Sequence, residues 1–397
     1  MKNIKLCLLW HNLFSNNLGV QALTYGHISV LSKISKEYNI SIEVTIVGNP
    51  SFLENNALVG FKKSSFPNIT FNGCLVFRIS KYGLLKKLLL WDRDYFRTFG
   101  QYDFILDIGE GDSFSDIYGR SRFFQHAVSK FLAIQNSSLV LAPQTIGPFK
   151  KRLHRLIAGY LVSHSRFIFV RDISSKNLVR HLGHDCCLTT DIAFAMEIEK
   201  LKPSHKVGIN VSGLLWNLGT NTRTSIVLNL DYQSTIYELI SYFLARNYEV
   251  ELVPHVISKD IMEDDVIACR QAAAYFSSDK VTVLEGKLDA LSVKSHISKF
   301  YFFVASRMHA AIAALSTGVP VLPIAYSKKF IPLFEGIGYK YVLDARTCTQ
   351  EQCVQVIDEM LKNKASVEID IEMSHKIIKH KINEYKTALG NVLLGNV

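Results

Sequence analysis

The sequence predicts two doubly wound α/β domains of nearly equal size. Three observations lead there. A chain of 397 residues exceeds what one hydrophobic core usually organises. Short apolar, β-rich runs alternate with longer amphipathic stretches through both halves, the pattern of βαβ units and a mostly parallel sheet. One polar stretch, Glu197 to His205 with Pro203, interrupts that rhythm before it restarts. The boundary is placed there, with an N-terminal domain over 1–200 and a C-terminal domain over 201–397.

Taken in order, the expected strands of the first half are Ile4 to Trp10, Ile42 to Val47, Phe104 to Ile108, Leu139 to Ala142 and Phe167 to Val170. Ser121 to Ile134 and Leu153 to His164 carry helical spacing between them. The second half repeats the rhythm with Val207 to Val211, Val250 to Val253, Val281 to Leu284, Phe300 to Val304 and Val319 to Ile324. Its helices are expected at Tyr232 to Arg246, Asp264 to Tyr275 and Arg307 to Ser316. Ligands of such sheets bind outside the carboxyl ends of the strands, so a catalytic cleft is expected between the domains.

Composition narrows the function classes. An apolar fraction of 48% with 20% charged residues is that of a compact globular chain. Seven scattered cysteines without a C-x-x-C pair argue for a reduced compartment and no structural zinc. The apolar run Leu6 to Trp10 is too short for a signal-peptide core, and Gly318, Pro320 and Pro323 break the run Met308 to Tyr326, so a cytoplasmic protein without a transmembrane helix is expected. A net charge of +10 favours anionic partners, but no nucleic-acid-binding motif is visible, and no nucleic acid is expected. Lys62 to Arg97 is locally basic, and Leu84 to Tyr95 within it has the pattern either of a helix lying on an anionic membrane or of an ordinary half-buried helix. Asp92-Arg93-Asp94 has the Asp-x-Asp form of metal-dependent glycosyltransferases, a pattern that often arises by chance.

The most informative segment is Phe302 to Tyr326, in which an apolar strand ends at Ser306-Arg307-Met308-His309 and a helix begins at once. Unpaired backbone N–H groups and the helix dipole favour a phosphate or carboxylate at that end, with Arg307 and His309 as added donors. The plain alternative is an ordinary ion pair for Arg307 and a satisfied core histidine at 309. Phe167 to Ser175 delivers Arg171 to a strand end and Asp172 to a helix N-cap; Arg171 is either a second anion clamp or a partner of Asp172. Gly109 and Gly111 permit a tight turn around Glu110, near Asp112 and Asp116, which suit turns and caps better than a metal. The stiff run Ala142 to Pro148 presents Gln144, the Asn16-Asn17-Leu18-Gly19 turn follows the first strand, and His255 follows Val250 to Val253. All should line the cleft.

In this order and spacing, the chain resembles the polysaccharide pyruvyl transferase family over nearly its whole length. The marks are the turn ending at Leu18-Gly19, the loop Asp107 to Asp116, Gln144-Thr145-Ile146-Gly147-Pro148, and Val170-Arg171-Asp172 with Ser175. Asp191 with Ala193-Phe194, Pro254-His255, Arg307-Met308-His309-Ala310, Gly318-Val319-Pro320 and Tyr326 with Lys329 complete them. The resemblance implies two Rossmann-like domains facing a cleft in a glycosyltransferase-B-like arrangement, with the last helix packing back on the N-terminal domain. It implies transfer of a pyruvyl group from phosphoenolpyruvate, a co-substrate, to a pair of sugar hydroxyls, with no cofactor and no metal. Phosphoenolpyruvate would be held by Arg307, Met308, His309 and Lys329 of the C-terminal domain, the donor side, and by Arg171 of the N-terminal domain, with His309, Arg307 and Arg171 catalytic. Asn17, Glu110, Gln144 and His255 would face the acceptor, a lipid-linked or nucleotide-linked sugar. The membrane-helix reading of Leu84 to Tyr95, apart from the resemblance, would give this cytoplasmic protein peripheral contact with the inner membrane surface. Two positions depart from the family: Gly19 is followed by Val20 instead of aspartate, and the three-glycine run reads Gly109-Glu110-Gly111. The rival readings are a nucleotide-sugar-dependent glycosyltransferase, with a diphosphate at the Arg307 helix, and a non-catalytic binder of anionic glycans.

Overall fold

The computed structural model describes residues 2–48, 66, 68–76, 99–219, 226–286, 288–327 and 329–396. The basic stretch Lys62 to Arg97 that suggested a membrane helix, and Asp92 to Asp94, lie almost wholly or wholly outside these residues. The chain forms two compact units: one of Met1–Ser15, Leu23–Ala195 and His380–Val397, the other of Asn16–Ala22 and Met196–Lys379.

The first unit contains β1 (Asn3–Leu9), most of α1 (Leu18–Tyr38), β2 (Ser41–Gly48), β3 (Ile69–Val76), β4 (Phe104–Asp107), α2 (Arg120–Asn136), β5 (Ser138–Gln144), α3 (Arg152–Ser163), β6 (Phe167–Val170), α4 (Ile173–His181) and β7 (Cys187–Leu188). Its strands run in the order β3-β2-β1-β4-β5-β6-β7, and every pairing is parallel. Strands β4, β5 and β6 are buried almost throughout because both sheet faces are covered there, which is why they read as continuous apolar runs rather than alternating ones. Helices α2 and α3 turn Phe123, Ala127, Ala158, Leu161 and Val162 inward at helical spacing onto Ile105, Leu139, Leu141 and Ile168.

The second unit contains β8 (Val207–Asn210), α5 (Gly213–Trp216), α6 (Tyr232–Ala245), β9 (Val250–Leu252), α7 (Asp265–Ala274), β10 (Val281–Val283), α8 (Ala290–Ile297), β11 (Phe302–Ala305), α9 (Met308–Thr317), β12 (Val321–Ala325), α10 (Phe330–Glu335), β13 (Leu343–Asp344) and α11 (Gln350–Lys362). Its sheet order, β10-β9-β8-β11-β12-β13, repeats that of the first unit and is again parallel. Each unit thus has the doubly wound strand order, with its reversal between β1 and β4 and between β8 and β11.

The expected two α/β domains are present, and the expected strands and helices stand within a few residues of their places. The start of β12 shifts because Gly318, at φ 91°, ends α9 and Val319 N–H still bonds to the Ala314 carbonyl, so the strand begins only after Pro320. Strands β3, β7 and β13 were not expected; the last two are two residues long and leave no periodicity to read. Helix α12 (Lys364–Leu394) ends the chain. Its inner stripe of Val367, Ile371, Ser374, Ile378, Tyr385, Leu389 and Val392 is fully or nearly fully buried.

Candidate functional site

In the second unit, the switch point between β8 and β11 gathers Arg307, His309 and His255. Apolar β11 runs buried to Ala305, and the chain then turns through Ser306 into α9, leaving Arg307, Met308 and His309 half-buried on its first turn. Arg307 is the N-cap residue and makes no side-chain cap, so the helix start keeps its affinity for an anion. Asn210, the last residue of β8, holds the turn: its Oδ1 accepts the Arg307 N–H at 2.8 Å and its Nδ2 donates to the Val253 carbonyl at 2.8 Å. Ser306 is buried, and its Oγ accepts from the Tyr232 hydroxyl at 2.6 Å.

Arg307 has a partner that sequence reasoning missed. Its Nη2 donates to Asp265 Oδ1 at 2.7 Å and to the Glu263 carbonyl at 3.2 Å, while Nε lies 3.3 Å from both Asp265 oxygens. Asp265 is fully buried and also accepts from the backbone N–H groups of Gly213 (2.8 Å), His255 (3.1 Å) and Val256 (2.9 Å). One carboxylate therefore ties the loops after β8, β9 and β11 together. Burial, the largest single influence, opposes the charge on Arg307, but the Asp265 carboxylate together with Tyr326 and Tyr232 outweighs it and raises the guanidinium above its ordinary range. Two donor positions of the fork face Asp265; among the described residues Nη1 makes no hydrogen bond, so that edge remains for an anionic ligand.

His255 is buried and its pKa falls to about 3, first through burial and then through the nearby His309 and Arg307. It is a neutral imidazole in this fold. The N-terminal turn reaches the same place: Asn17 bridges Val256, Leu18 N–H donates to the His255 carbonyl at 3.1 Å, and Asn17 Oδ1 accepts from Gly19 N–H at 3.0 Å. Gly19 lies against the His309 ring so closely that a Cβ there would stand 2.2 Å from Nδ1. Any side chain at 19 would displace the imidazole. Lys329 precedes α10 on the loop after β12. Of the residues singled out by sequence, Asn17, His255, Arg307, Met308, His309 and Lys329 thus belong to the second unit.

Glu110, Gln144 and Arg171 come together in the first unit, beside the carboxyl ends of β4, β5 and β6. Gly109, Glu110 and Gly111 all take positive φ (54°, 49° and 91°), a left-handed turn that only glycine enters without strain. The two glycines are also required by contact. A Cβ on Gly109 would meet Gln144 Oε1 at 2.3 Å, and one on Gly111 would meet Leu23 Cδ1 at 2.9 Å and Arg171 Nη1 at 3.2 Å. Glu110 forms an ion pair with Arg122, in the first turn of α2. Gln144 is buried and donates from Nε2 to the Asp107 carbonyl at 2.6 Å.

Arg171 is buried and donates from Nη1 to Asp191 Oδ2 at 2.5 Å and from Nε to Thr145 Oγ1 at 2.9 Å. Its partner is Asp191, not Asp172, whose carboxylate caps α4 by accepting from Ser175 N–H. Asp116 serves the backbone in the same way, accepting from the N–H groups of Lys150 and Lys151. A second pair escaped sequence reasoning: Asp107 and Lys130, both fully buried, stand 3.0 Å apart. Burial pushes the Asp107 carboxyl up and the Lys130 ammonium down, each opposed by the other's charge. Among the described residues no cluster of three or more metal-ligating side chains occurs.

Comparison with known proteins agrees with this architecture. A Listeria monocytogenes structure covering 97% of its own chain and 99% of this one superposes with a TM-score of 0.65 at 14% identity. The UDP-N-acetylglucosamine 2-epimerase of Neisseria meningitidis, solved with UDP-N-acetylglucosamine, does so with a TM-score of 0.57 at 13% identity, over 96% of this chain and 100% of that one. At such identities these likenesses concern the fold. In sequence, the amylovoran biosynthesis protein AmsJ of Erwinia amylovora is 21% identical over 386 residues, 89% of each chain. The model of the polysaccharide pyruvyl transferase family matches residues 32–328, well over half the chain, and the protein is an enzyme of that family.

Proposed function

We propose that the protein transfers the pyruvyl group of phosphoenolpyruvate to two hydroxyls of one sugar in a polysaccharide precursor, leaving a cyclic pyruvate ketal. The observation that carries this reading is the Asp265-held Arg307 at the start of α9, with one guanidinium edge open beside His309 and the neutral His255. That is an anion site with a titratable group next to it. Family membership and the likeness to a protein of amylovoran biosynthesis support the polysaccharide acceptor.

A proton adds to the enol methylene, which becomes the methyl group and leaves positive charge at C2. One sugar oxygen bonds to C2 and loses its proton; the second displaces the phosphate and loses its own, closing the ring. In this reading Arg307 and the N–H groups of the α9 start hold an anionic group of the donor, and His309 delivers the proton. With a pKa of about 3, His255 cannot be the acid near neutrality, so it orients groups as a neutral hydrogen-bonding ring. Arg171 is the candidate cation of the first unit, with Glu110 and Gln144 beside it as acceptor contacts. No step requires a metal or a cofactor.

Calorimetric titration with phosphoenolpyruvate and, separately, with UDP tests the reading. Binding of phosphoenolpyruvate that weakens at least ~100-fold in Arg307→Ala is expected, the loss of a charge-assisted contact. The UDP-N-acetylglucosamine held by the Neisseria structure shows what the rival requires of this fold: UDP binding without phosphoenolpyruvate binding would move the protein to nucleotide-sugar chemistry.

A further inference from the structure

Helices α2 and α3 of the first unit carry an apolar face that no described residue covers. On α2 the outward positions include Phe124 (40% exposed) and Phe131 (44%); on α3 they are Leu153 (60%), Leu156 (72%) and Tyr160 (40%). They belong to one surface: Phe124 packs edge-on against His154 of α3, and the Phe131 and Tyr160 rings lie 6.2 Å apart. Ile117 and Tyr118, 43% and 50% exposed, extend it through the loop before α2. Both helices turn a full second set of apolar residues into the core, so the outer stripe is not needed for folding.

The exposed charges on the two helices and the loop between them are cationic, while at the Tyr118 edge Asp112 and Glu110 are engaged by the Tyr118 hydroxyl and by Arg122. Arg120, Lys150, Lys151, Arg152, Arg155 and Arg166 are exposed. From Ser113 to Val170 the sequence has one carboxylate, Asp116, and that group is buried against His154 and the backbone of Lys150 and Lys151. Leucines and aromatics ringed by lysine and arginine suit a surface whose outside is anionic and whose inside is hydrocarbon. A second copy of the same face would bring these cations against one another, which argues against a symmetric dimer through it.

We propose that the α2–α3 face docks on an anionic lipid bilayer, with Leu153, Leu156, Phe124, Phe131 and Tyr160 entering the headgroup boundary and Lys150, Lys151, Arg152 and Arg155 meeting lipid phosphates. The face adjoins the Glu110 turn through the Arg122 ion pair and through Tyr118, whose hydroxyl donates to Asp112 Oδ2 at 2.8 Å. This assignment is independent of the donor chemistry.

Flotation of the full chain with vesicles tests it. Wild-type protein is expected to float with phosphatidylglycerol-containing vesicles at low salt, to leave them at high salt, and to ignore pure phosphatidylcholine. Leu153→Asp with Leu156→Asp should weaken partition on the order of tenfold or more, and Lys151→Glu with Arg155→Glu by at least ~30-fold. Leu201→Asp, at an exposed apolar residue of the other unit, should change nothing. Circular dichroism of each variant verifies folding. Absence of flotation by the wild type, or unchanged partition of both folded double variants, overturns the proposal. So does a solution dimer that the Leu153→Asp, Leu156→Asp variant converts to monomer.

Discussion

Two adjacent aspartates show how little of a site one residue type reveals. Asp264 is the N-cap of α7, accepting from Ile267 N–H, and it also accepts from Ser258 N–H. Asp265, the next residue, turns the other way to clamp Arg307 and three backbone N–H groups. Sequence offers a helix start for both and a ligand-site role for neither. Replacing Asp265 by Asn keeps the shape but leaves Arg307 without its counter-charge and places an amide donor among N–H donors. The loss of a buried partner of this kind is worth about 3–5 kcal/mol. Asp265→Asn should therefore lower the urea midpoint of unfolding and weaken phosphoenolpyruvate binding at least ~10-fold by calorimetry. Unchanged affinity in a folded variant would show that Arg307 needs no positioning.

Among the elements, the start of α1 and the start of α9 depend on each other through Gly19. Sequence presented this glycine as part of a turn; the structure gives the stronger reason, the His309 ring lying where a Cβ would be. Gly19→Ala is expected to move the imidazole and reduce turnover on the order of 100-fold, the cost of misplacing a reacting group by about 1 Å. Alanine gains about 1 kcal/mol in helix propensity, but crowding the His309 ring down to its Cβ, 3.0 Å away, costs about 1–3 kcal/mol, so the thermal midpoint should fall modestly. Full activity in Gly19→Ala would remove His309 from the proposed chemistry. Elements with strong local signals are legible: Asp172 carries the N-cap signal and caps α4. Strands β7 and β13, two residues each, had no local signal to read, because their pairing to β6 and β12 is what makes them strands.

At the scale of the whole molecule, both units bury neutral histidines, and this sets the response to acid. His11 in the first unit and His255 in the second each fall to about 3, chiefly by burial. His27 and His126 shift the same way. His11 Nε2 stands 2.8 Å from His27 Nδ1, and His27 Nε2 stands 2.8 Å from the Tyr385 hydroxyl of α12. An unfolded histidine binds its proton near pH 6.5 while these do not until far lower, so the stabilisation is complete above pH 6.5 and is lost as pH falls from there toward 3. His11 and His255 together contribute a slope of about 2.7 kcal/mol per pH unit once the pH is well below 6.5. Urea midpoints measured from pH 8 to 5 should hold steady and then drop; a flat profile would mean that these imidazoles are protonated in the folded protein. Among the described residues no helix is long and apolar enough to cross a membrane.

The amino-acid sequence by itself determined the alternation of apolar runs and amphipathic stretches, hence two parallel-sheet units, the Asp172 cap, and the strand ends at which Arg171 and Arg307 stand. Those are local properties, written as periodicity and as hydrogen bonding within a few residues. The tertiary structure alone decided what the two arginines meet. Asp191 and Asp265 lie 20 and 42 residues from them in sequence. They arrive only because the strand order carries separate loops to one edge of each sheet. Lys130 is the clearest case: helical period puts it on the inner stripe of α2 with Phe123 and Ala127, but no period names its counter-charge, Asp107 of β4, 3.0 Å away. The choice of partner for a buried charge is made by topology, because desolvation makes the charge costly until a counter-charge from elsewhere in the chain is brought into contact with it.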